Sequence, residues 1–154
     1  AQNIAITREN VSQAEIEQAA KEACLHDSIE GFQSGYETVV GERGVTLSGG
    51  QKQRTAIART LLEHAPIMVF DDALSAVDAK TDEAIRGRLR EAAGGATMIL
   101  IAHRVATLMQ ADQIIVLKDG QIIERGTPQE LLEQNGVFAH TARMQSAEGE
   151  EEAE

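Results

Sequence analysis

Three short groups of residues have the types and spacing for phosphate chemistry. The segment Leu47-Ser48-Gly49-Gly50-Gln51 puts a hydroxyl and two glycines at a predicted helix start, where unpaired amides and the helix dipole favour an anion. Asp71 and Asp72 follow one apolar run, and His103 follows another. An aspartate suits Mg²⁺, and a histidine can contact a transferring phosphoryl group or its attacking water.

Each group also has a plainer interpretation. The glycine segment could be an ordinary N-cap after a glycine turn, since short motifs often occur without function. Asp71 and Asp72 could form a solvated loop, and His103 could be a hydrogen-bonded histidine at the end of a strand. The elements around the three groups therefore decide between these interpretations.

Two apolar runs of strand length directly precede the carboxylates and the histidine. Residues 67–70 end at the two aspartates, and residues 97–102 end at His103. A helix over residues 79–93, capped by Asp78 and ended by Gly94-Gly95, is predicted between them. Strand, helix and strand in this order predict an α/β sheet with two buried parallel strands, and ligands bind at the carboxyl edge of such sheets.

The flanking elements are marked by capping and turn signals. Ser12-Gln13-Ala14-Glu15 predicts a capping box on a helix that ends near His26, and the helix that begins at Ser48 should end near Glu63. Residues 34–47 predict a loop between them.

Turn and capping signals also mark the last third of the chain. Asp119-Gly120 predicts a hairpin between residues 113–117 and 121–124, after a short helix that ends near Gln110. Thr127-Pro128-Gln129-Glu130 predicts another helix start, and residues 137–144 a final helix.

The composition excludes several classes of function. With 14 basic and 25 acidic residues the net charge is −11, and five of the last seven residues are glutamates. No basic stripe occurs, and three Phe, one Tyr and no Trp offer few stacking platforms, so nucleic acid is not an expected partner. The longest apolar stretch, residues 98–102, falls far below the roughly 18 residues of a membrane span.

Length and cysteine usage indicate one globular core in a reducing compartment. The 154 residues, 42% of them hydrophobic, suffice for one core. Cys24 excludes an internal disulfide because it is the one cysteine, and its helical setting among Ala and Leu favours a small core residue over a reactive thiol. Residues 1–6 lack the charged start and apolar run of a signal peptide.

These segments, in this order, resemble the motifs of ATP-binding cassette (ABC) proteins. Leu47 to Gln51 is similar to the signature motif, and residues 67–71 are similar to the Walker B strand. Ala73-Leu74-Ser75-Ala76-Val77-Asp78 resembles the D-loop, and Ile101-Ala102-His103-Arg104 the switch histidine. Val40-Gly41-Glu42-Arg43-Gly44 resembles the segment that in exporters contacts the coupling helices of the membrane domains.

The resemblance extends from Ala1 to about Met144. Three sequence segments narrow it to the exporters of the family. These are the Ala-His-Arg triplet, the Ser-Ala-Val-Asp of the D-loop, and Glu124-Arg125-Gly126-Thr127 followed by Glu130-Leu131-Leu132. It implies an α/β fold that is the C-terminal part of a RecA-like P-loop NTPase core, with the helical subdomain of the family at its N-terminal end. Residues 1–63 would be the helical subdomain and signature, 64–146 the core part, and 147–154 a disordered acidic tail.

The resemblance also implies cofactors, residue roles and partners. ATP would be bound by Leu47, Ser48, Gly49, Gly50, Gln51 and Asp78, Mg²⁺ by Asp71, and catalysis would rest on Asp72 and His103. Glu42 would couple to transmembrane domains, and a second nucleotide-binding domain would pair head to tail with this one. The parent would lie at the cytoplasmic face of the plasma (inner) membrane, with this chain itself soluble.

Two departures from the family pattern qualify these expectations. No Gly-x-x-x-x-Gly-Lys-Ser/Thr occurs, and the adenine contact and glutamine loop are also missing, so the chain by itself is expected to bind ATP weakly or not at all. We interpret it as a fragment of a longer polypeptide rather than a truncated gene product. Active members carry glutamate at the position of Asp72, and the shorter side chain predicts a weak or silent site, as in the degenerate half of heterodimeric exporters.

Two other functions stay open at this stage. The parent could be a regulatory module that binds ATP without hydrolysing it and supports a catalytic partner. It could also be a soluble cassette protein that acts in translation or repair. The sequence leaves open the cargo and the choice between homodimer and heterodimer.

Overall fold

The chain folds into α-helices and two small sheets, as seen in a computed structural model that describes residues 1–41, 47–77, 79–92 and 94–151. In chain order the elements are α1 (Gln13–Glu22), α2 (His26–Glu30), a 3₁₀ turn (Gly35–Glu37), α3 (Gly49–Leu62), β1 (Ile67–Asp71), α4 (Ala79–Ala92), β2 (Thr97–Ile101), α5 (Val105–Leu108), β3 (Ile114–Lys118), β4 (Gln121–Gly126), α6 (Pro128–Glu133) and α7 (Val137–Glu151). The chain divides into two compact units, Ala1–Ile101 and Ala102–Glu154.

Predicted capping boxes begin two of the helices. In α1 the Ser12 Oγ accepts from the Glu15 amide (3.3 Å), and the Glu15 carboxylate accepts from the Ser12 amide (2.9 Å). Thr127 and Glu130 make the same reciprocal pair at α6, with distances of 3.3 and 2.8 Å. These hydrogen bonds lower the pKa of both glutamates, because they stabilise the charged carboxylate.

The first helix ends earlier than predicted. It stops at Glu22 rather than near His26, because Cys24 takes a left-handed conformation with φ of 50°. The Leu25 amide then donates back to the Ala20 carbonyl (2.8 Å), which closes the helix end, and a separate short helix starts at His26. Cys24 itself is half-buried against the core, and burial raises the pKa of its thiol, as suits a packing residue.

One apolar cluster holds the first unit together. It joins α1, α3, α4 and β1 through buried side chains that include Ile16, Ala20, Ile57, Leu61, Leu62, Met68, Phe70, Ile85 and Leu89. Strands β1 and β2 pair in parallel from Ile67↔Thr97 to Asp71↔Ile101, so the predicted parallel pair is confirmed. The predicted division near residue 63 stays a prediction, and buried residues on both sides of it belong to this same cluster.

The prediction that both strands are buried is wrong for one face of this sheet. Met68 and Phe70 are each 4% exposed, whereas Ile67, Val69, Ile99 and Ile101 are between 46% and 60% exposed. Successive side chains of a strand point to opposite faces, and parallel sheets are normally covered on both. In the described part of the chain, only the face of Met68 and Phe70 is packed against the core.

The second unit, over its described residues 102–151, consists of a hairpin and three helices. Strands β3 and β4 pair antiparallel with Lys118 opposite Gln121. Asp119 and Gly120 have φ of 50° and 76°, the backbone of the predicted two-residue turn. A small core of Val105, Ile114, Leu131 and Phe138 joins the helices to the hairpin.

Helix α7 is longer than predicted. It runs to Glu151, seven residues beyond the expected end at Met144, and so includes most of a tail that was expected to be disordered. Alanine and glutamate are good helix formers, and their propensity extends the helix despite the acidic charge. Within the described residues, no helix is long and apolar enough to cross a membrane.

Candidate functional site

The glycine segment forms the first turn of α3. Ser48 is the N-cap, and its Oγ accepts from the Gln51 amide (3.2 Å) while its own amide donates to Gln51 Oε1 (2.9 Å). Ser48 and Gly49 are exposed. A serine hydroxyl that accepts one hydrogen bond keeps its proton for a further acceptor, so the capping role leaves Ser48 able to donate to a phosphate oxygen.

The two glycines allow a second segment to lie close to this helix start. A Cβ at Gly50 would sit 3.0 Å from the Ala76 carbonyl oxygen, tighter than ordinary contacts, and a Cβ at Gly49 would meet the Ala76 Cβ at 3.6 Å. Gly50 therefore has no room for a side chain unless the backbone at Ala76 shifts.

Ala76 belongs to the turn that follows β1, residues 72–77, named here the 72–77 turn. Asp71 is the last residue of β1, and Asp72 opens the turn with φ of 47°; both are exposed. The Asp72 amide donates to the Ile101 carbonyl of β2 (3.0 Å). Leu74 and Val77 are buried at 7% and 4% exposure and fix the turn to the core.

Gln53, which the sequence analysis did not single out, connects α3 to the 72–77 turn. Its Nε2 donates to Ser75 Oγ (2.9 Å) and to the Asp72 carbonyl (3.4 Å), and its Oε1 accepts from the Ala76 amide (2.9 Å). These contacts span 19 to 23 residues of sequence. No local pattern predicts them, because a glutamine two residues after the motif is unremarkable in a helix.

His103 lies in the second unit, just before α5, and is exposed. Gln145 of α7 holds the backbone on both sides of Arg104. Its Nε2 donates to the His103 carbonyl (2.8 Å), and its Oε1 accepts from the Val105 amide (2.8 Å). The backbone that carries His103 is thus tied to the long helix of its own unit.

The structure describes only some of the residues that the resemblance assigns to nucleotide, metal and membrane-domain contacts. Glu42 and Asp78 lie outside the described residues. Among the described residues, no group of three or more His, Cys, Asp or Glu could hold a metal ion. Mg²⁺ bound with a nucleotide usually takes one or two carboxylates together with phosphate oxygens, and the exposed Asp71 carboxylate at the end of β1 has the donor chemistry for that arrangement.

Comparisons with known proteins agree with this arrangement. The family model described as ABC transporter matches residues 2–75, which include α3, β1 and the start of the 72–77 turn. A bacterial Atm1-family ABC exporter, solved with ATP bound, matches with a TM-score of 0.90 at 45% identity. The chain belongs to the ABC transporter family. The predicted α/β fold and exporter-type recognition are confirmed.

Curated relatives of this ABC transporter chain include ATP-dependent lipid A-core flippases. Those of Yersinia pestis bv. Antiqua (strain Antiqua) and Salmonella typhimurium are each 49% identical over 146 residues. The matches cover 94% of this chain, but only 25% of each flippase and 26% of the Atm1-family chain. The chain therefore spans about a quarter of the length of these relatives.

Proposed function

We propose that this chain is part of the ATPase of an exporter that couples ATP binding and hydrolysis to movement of a substrate across a membrane. One observation carries the proposal: the glycine start of α3 lies against the turn that bears Asp72, and a Cβ at Gly50 would sit only 3.0 Å from the Ala76 carbonyl oxygen. This contact joins an anion-binding helix start to two exposed carboxylates, and the helix start and both carboxylates lie within the residues that match the ABC transporter model.

In this proposal the helix start binds nucleotide phosphate. The exposed Ser48 hydroxyl and the amides of Gly49 and Gly50 would donate to phosphate oxygens, with Leu47 before them and Gln51 after them. Asp78 would complete the nucleotide contacts.

The remaining assigned residues act on the metal, the nucleophile and the membrane domains. Asp71 would hold Mg²⁺, whose positive charge offsets that of the phosphates. Asp72 would orient the attacking water, and His103 would contact the transferring phosphoryl group. Glu42 would transmit the motion to the membrane domains.

We further propose that two such domains pair head to tail at the inner face of the plasma membrane. The α3 start would then complete the ATP site of the partner domain, while Asp71, Asp72 and His103 would serve the site of this chain. Transmembrane domains would be the second partner. The lipid A-core flippases act on the substrate in their names; the proposal for this chain concerns energy coupling and not the cargo.

A second function, a regulatory half that binds ATP without hydrolysing it, is favoured by Asp72. Its side chain is one methylene shorter than glutamate, and a misplacement of about 1 Å can cost on the order of a hundredfold in rate. The backbone does not compensate freely, because the Asp72 amide is fixed to the Ile101 carbonyl and Leu74 is buried. The site of this chain would then be slow beside that of a heterodimeric partner.

Single-turnover ATP hydrolysis by the intact transporter that contains this chain tests both functions. Ser48→Ala should abolish most turnover, and Asp72→Asn should matter little. Ser12→Ala is the matched control, since Ser12 caps α1 with the same reciprocal pair far from the phosphate residues in sequence. The opposite pattern, with Ser48 dispensable and Asp72 essential, would refute the assignment of the two residues to different sites.

Asp72→Glu separates a slow site from a silent one. If only the length of the side chain limits the site, turnover should rise about tenfold, equivalent to about 1.4 kcal/mol in barrier. Unchanged turnover would remove the evidence for degeneracy at Asp72. Calorimetric titration of the isolated chain with ATP should show no binding. Micromolar affinity would contradict the expectation that ATP binding depends on residues elsewhere in the parent.

A further inference from the structure

The Gln53 side chain bridges the two parts of the candidate site that lie in the first unit. It is half-buried and starts from the fifth residue of α3. Both the nitrogen and the oxygen of its amide group form hydrogen bonds. Nε2 donates to Ser75 Oγ at 2.9 Å, and Oε1 accepts from the Ala76 amide at 2.9 Å. A side chain bonded to the turn at both ends fixes both the distance and the orientation of that turn.

The Asp72 carbonyl is the point on which these contacts converge. It accepts from the Ser75 amide (3.3 Å), from Ser75 Oγ (3.0 Å) and from Gln53 Nε2 (3.4 Å). Asp72 has a left-handed backbone, which is uncommon among non-glycine residues although aspartate adopts it more readily than most. The direction of the Asp72 carboxylate depends on this backbone, and Gln53 and Ser75 help to hold it.

We propose that Gln53 is a positioning residue for ATP hydrolysis. It holds the Asp72 backbone in the orientation that aims the carboxylate, and it makes the start of α3 and the 72–77 turn move as one body. This inference rests on the proposed function. If Ser48 serves the partner's ATP site and Asp72 serves this chain's own, Gln53 is the physical connection between the two sites in one chain.

Steady-state ATP hydrolysis by the intact transporter carrying Asp72→Glu tests the proposal, because in this background the acid at position 72 is expected to contribute most of the turnover. Gln53→Leu keeps the volume and removes both hydrogen-bonding groups, so in the Asp72→Glu background kcat should fall about tenfold or more through a misplaced carboxylate at position 72. The KM for ATP should stay within about twofold, because the phosphate donors of the α3 start are unchanged. Gln53→Glu keeps an acceptor for the Ala76 amide and should lose less.

Two further variants separate positioning from general destabilisation. Gln18→Leu makes the same chemical change on α1, where the exposed Gln18 amide donates to Glu22 of its own helix, and it should leave kcat unchanged. Ser75→Ala removes the hydroxyl between Gln53 and the Asp72 carbonyl. If Gln53 acts through this hydroxyl, the double variant Gln53→Leu with Ser75→Ala should lose little more than Gln53→Leu does, since coupled positions are not additive.

The results distinguish failure of the Gln53 positioning role from failure of the proposed function. In the Asp72→Glu background, a kcat for Gln53→Leu within about twofold of that background alone would overturn the positioning role, and loss of turnover by Ser48→Ala in the native transporter would leave the proposed function standing. Losses from Gln53→Leu and Ser75→Ala that multiply in the double variant would also overturn it. If Gln53→Leu does not assemble, Gln53→Glu and Ser75→Ala decide by the same criterion. No hydrolysis in the unaltered transporter would refute the proposed function itself.

Discussion

Removal of the Glu124 carboxylate should destabilise the second unit. Glu124 lies in β4, and its carboxylate accepts from the Val137 amide and from the Phe138 amide (3.0 Å) at the start of α7. Two amides of a helix start thus find a charged acceptor, which also joins the hairpin to the last helix. A helix cap contributes about 0.5 to 2 kcal/mol, and a charged acceptor lies at the upper end, so Glu124→Ala should cost about 2 kcal/mol. Glu124→Gln keeps one carbonyl acceptor and should cost about 1 kcal/mol.

A neighbouring glycine makes this prediction testable by a mutant cycle. A Cβ at Gly136 would collide with the Glu124 carboxylate, so Gly136→Ala should push the carboxylate off the helix start. The cost of Gly136→Ala should therefore largely disappear in a Glu124→Ala background.

Urea unfolding of the chain, followed by circular dichroism, measures each free energy. The control is Glu133→Ala, which removes an exposed acceptor of Gln129 on α6 and should change the unfolding free energy by less than about 0.5 kcal/mol. A Glu124→Ala cost no larger than that of the control would refute the capping role. Costs of Glu124→Ala and Gly136→Ala that simply add would refute the steric reasoning.

Two other predictions concern a buried tyrosine and a glutamine. Burial raises the pKa of the Tyr36 hydroxyl to about 12. Between about pH 10 and pH 12 the unfolded chain therefore binds fewer protons than the folded chain, because its tyrosine has already ionised. The unfolding free energy should fall over this range by on the order of 1 to 2 kcal/mol. The Tyr36→Phe variant should lack this fall. If its unfolding free energy fell with pH as steeply as that of the native chain, Tyr36 would not be the cause. Gln145→Leu removes both bonds to the His103 and Val105 backbone and should cost about 1 to 2 kcal/mol in urea unfolding, whereas Gln129→Leu on α6 should cost less than about 0.5 kcal/mol. Equal costs for the two glutamines would refute a role for Gln145 in holding the His103 segment.

The local parts of the fold could be predicted from the sequence because their signals are local. A hydroxyl at the N-cap with an acid three residues later identified the helix starts at Ser12 and Thr127, and a hydroxyl followed by two glycines identified the start at Ser48. Asp119-Gly120 identified the hairpin turn, because both positions need a positive φ. These features depend on a few neighbouring residues and on no distant partner.

Features set by distant contacts could not be predicted. The apolar spacing of α1 continues past Glu22, and the left-handed backbone at Cys24 that ends the helix leaves no mark in the sequence. Residues 67–70 and 98–101 are apolar throughout, which predicts two covered faces, whereas one face is open in the structure. The contacts of Gln53 and Glu124 join residues far apart in sequence, so their roles emerge only once the fold is known.

The open face of the parallel sheet has a consequence for the isolated chain in solution. Ile67, Val69, Ile99 and Ile101 form a β-branched surface, and among the described residues no further strand pairs with the outer edges of β1 and β2. Such surfaces promote edge-to-edge association and aggregation. The net charge of −11 opposes this association by mutual repulsion, which salt screens. The isolated chain should accordingly precipitate more readily as the ionic strength rises or as the pH approaches its isoelectric point of about 4.8.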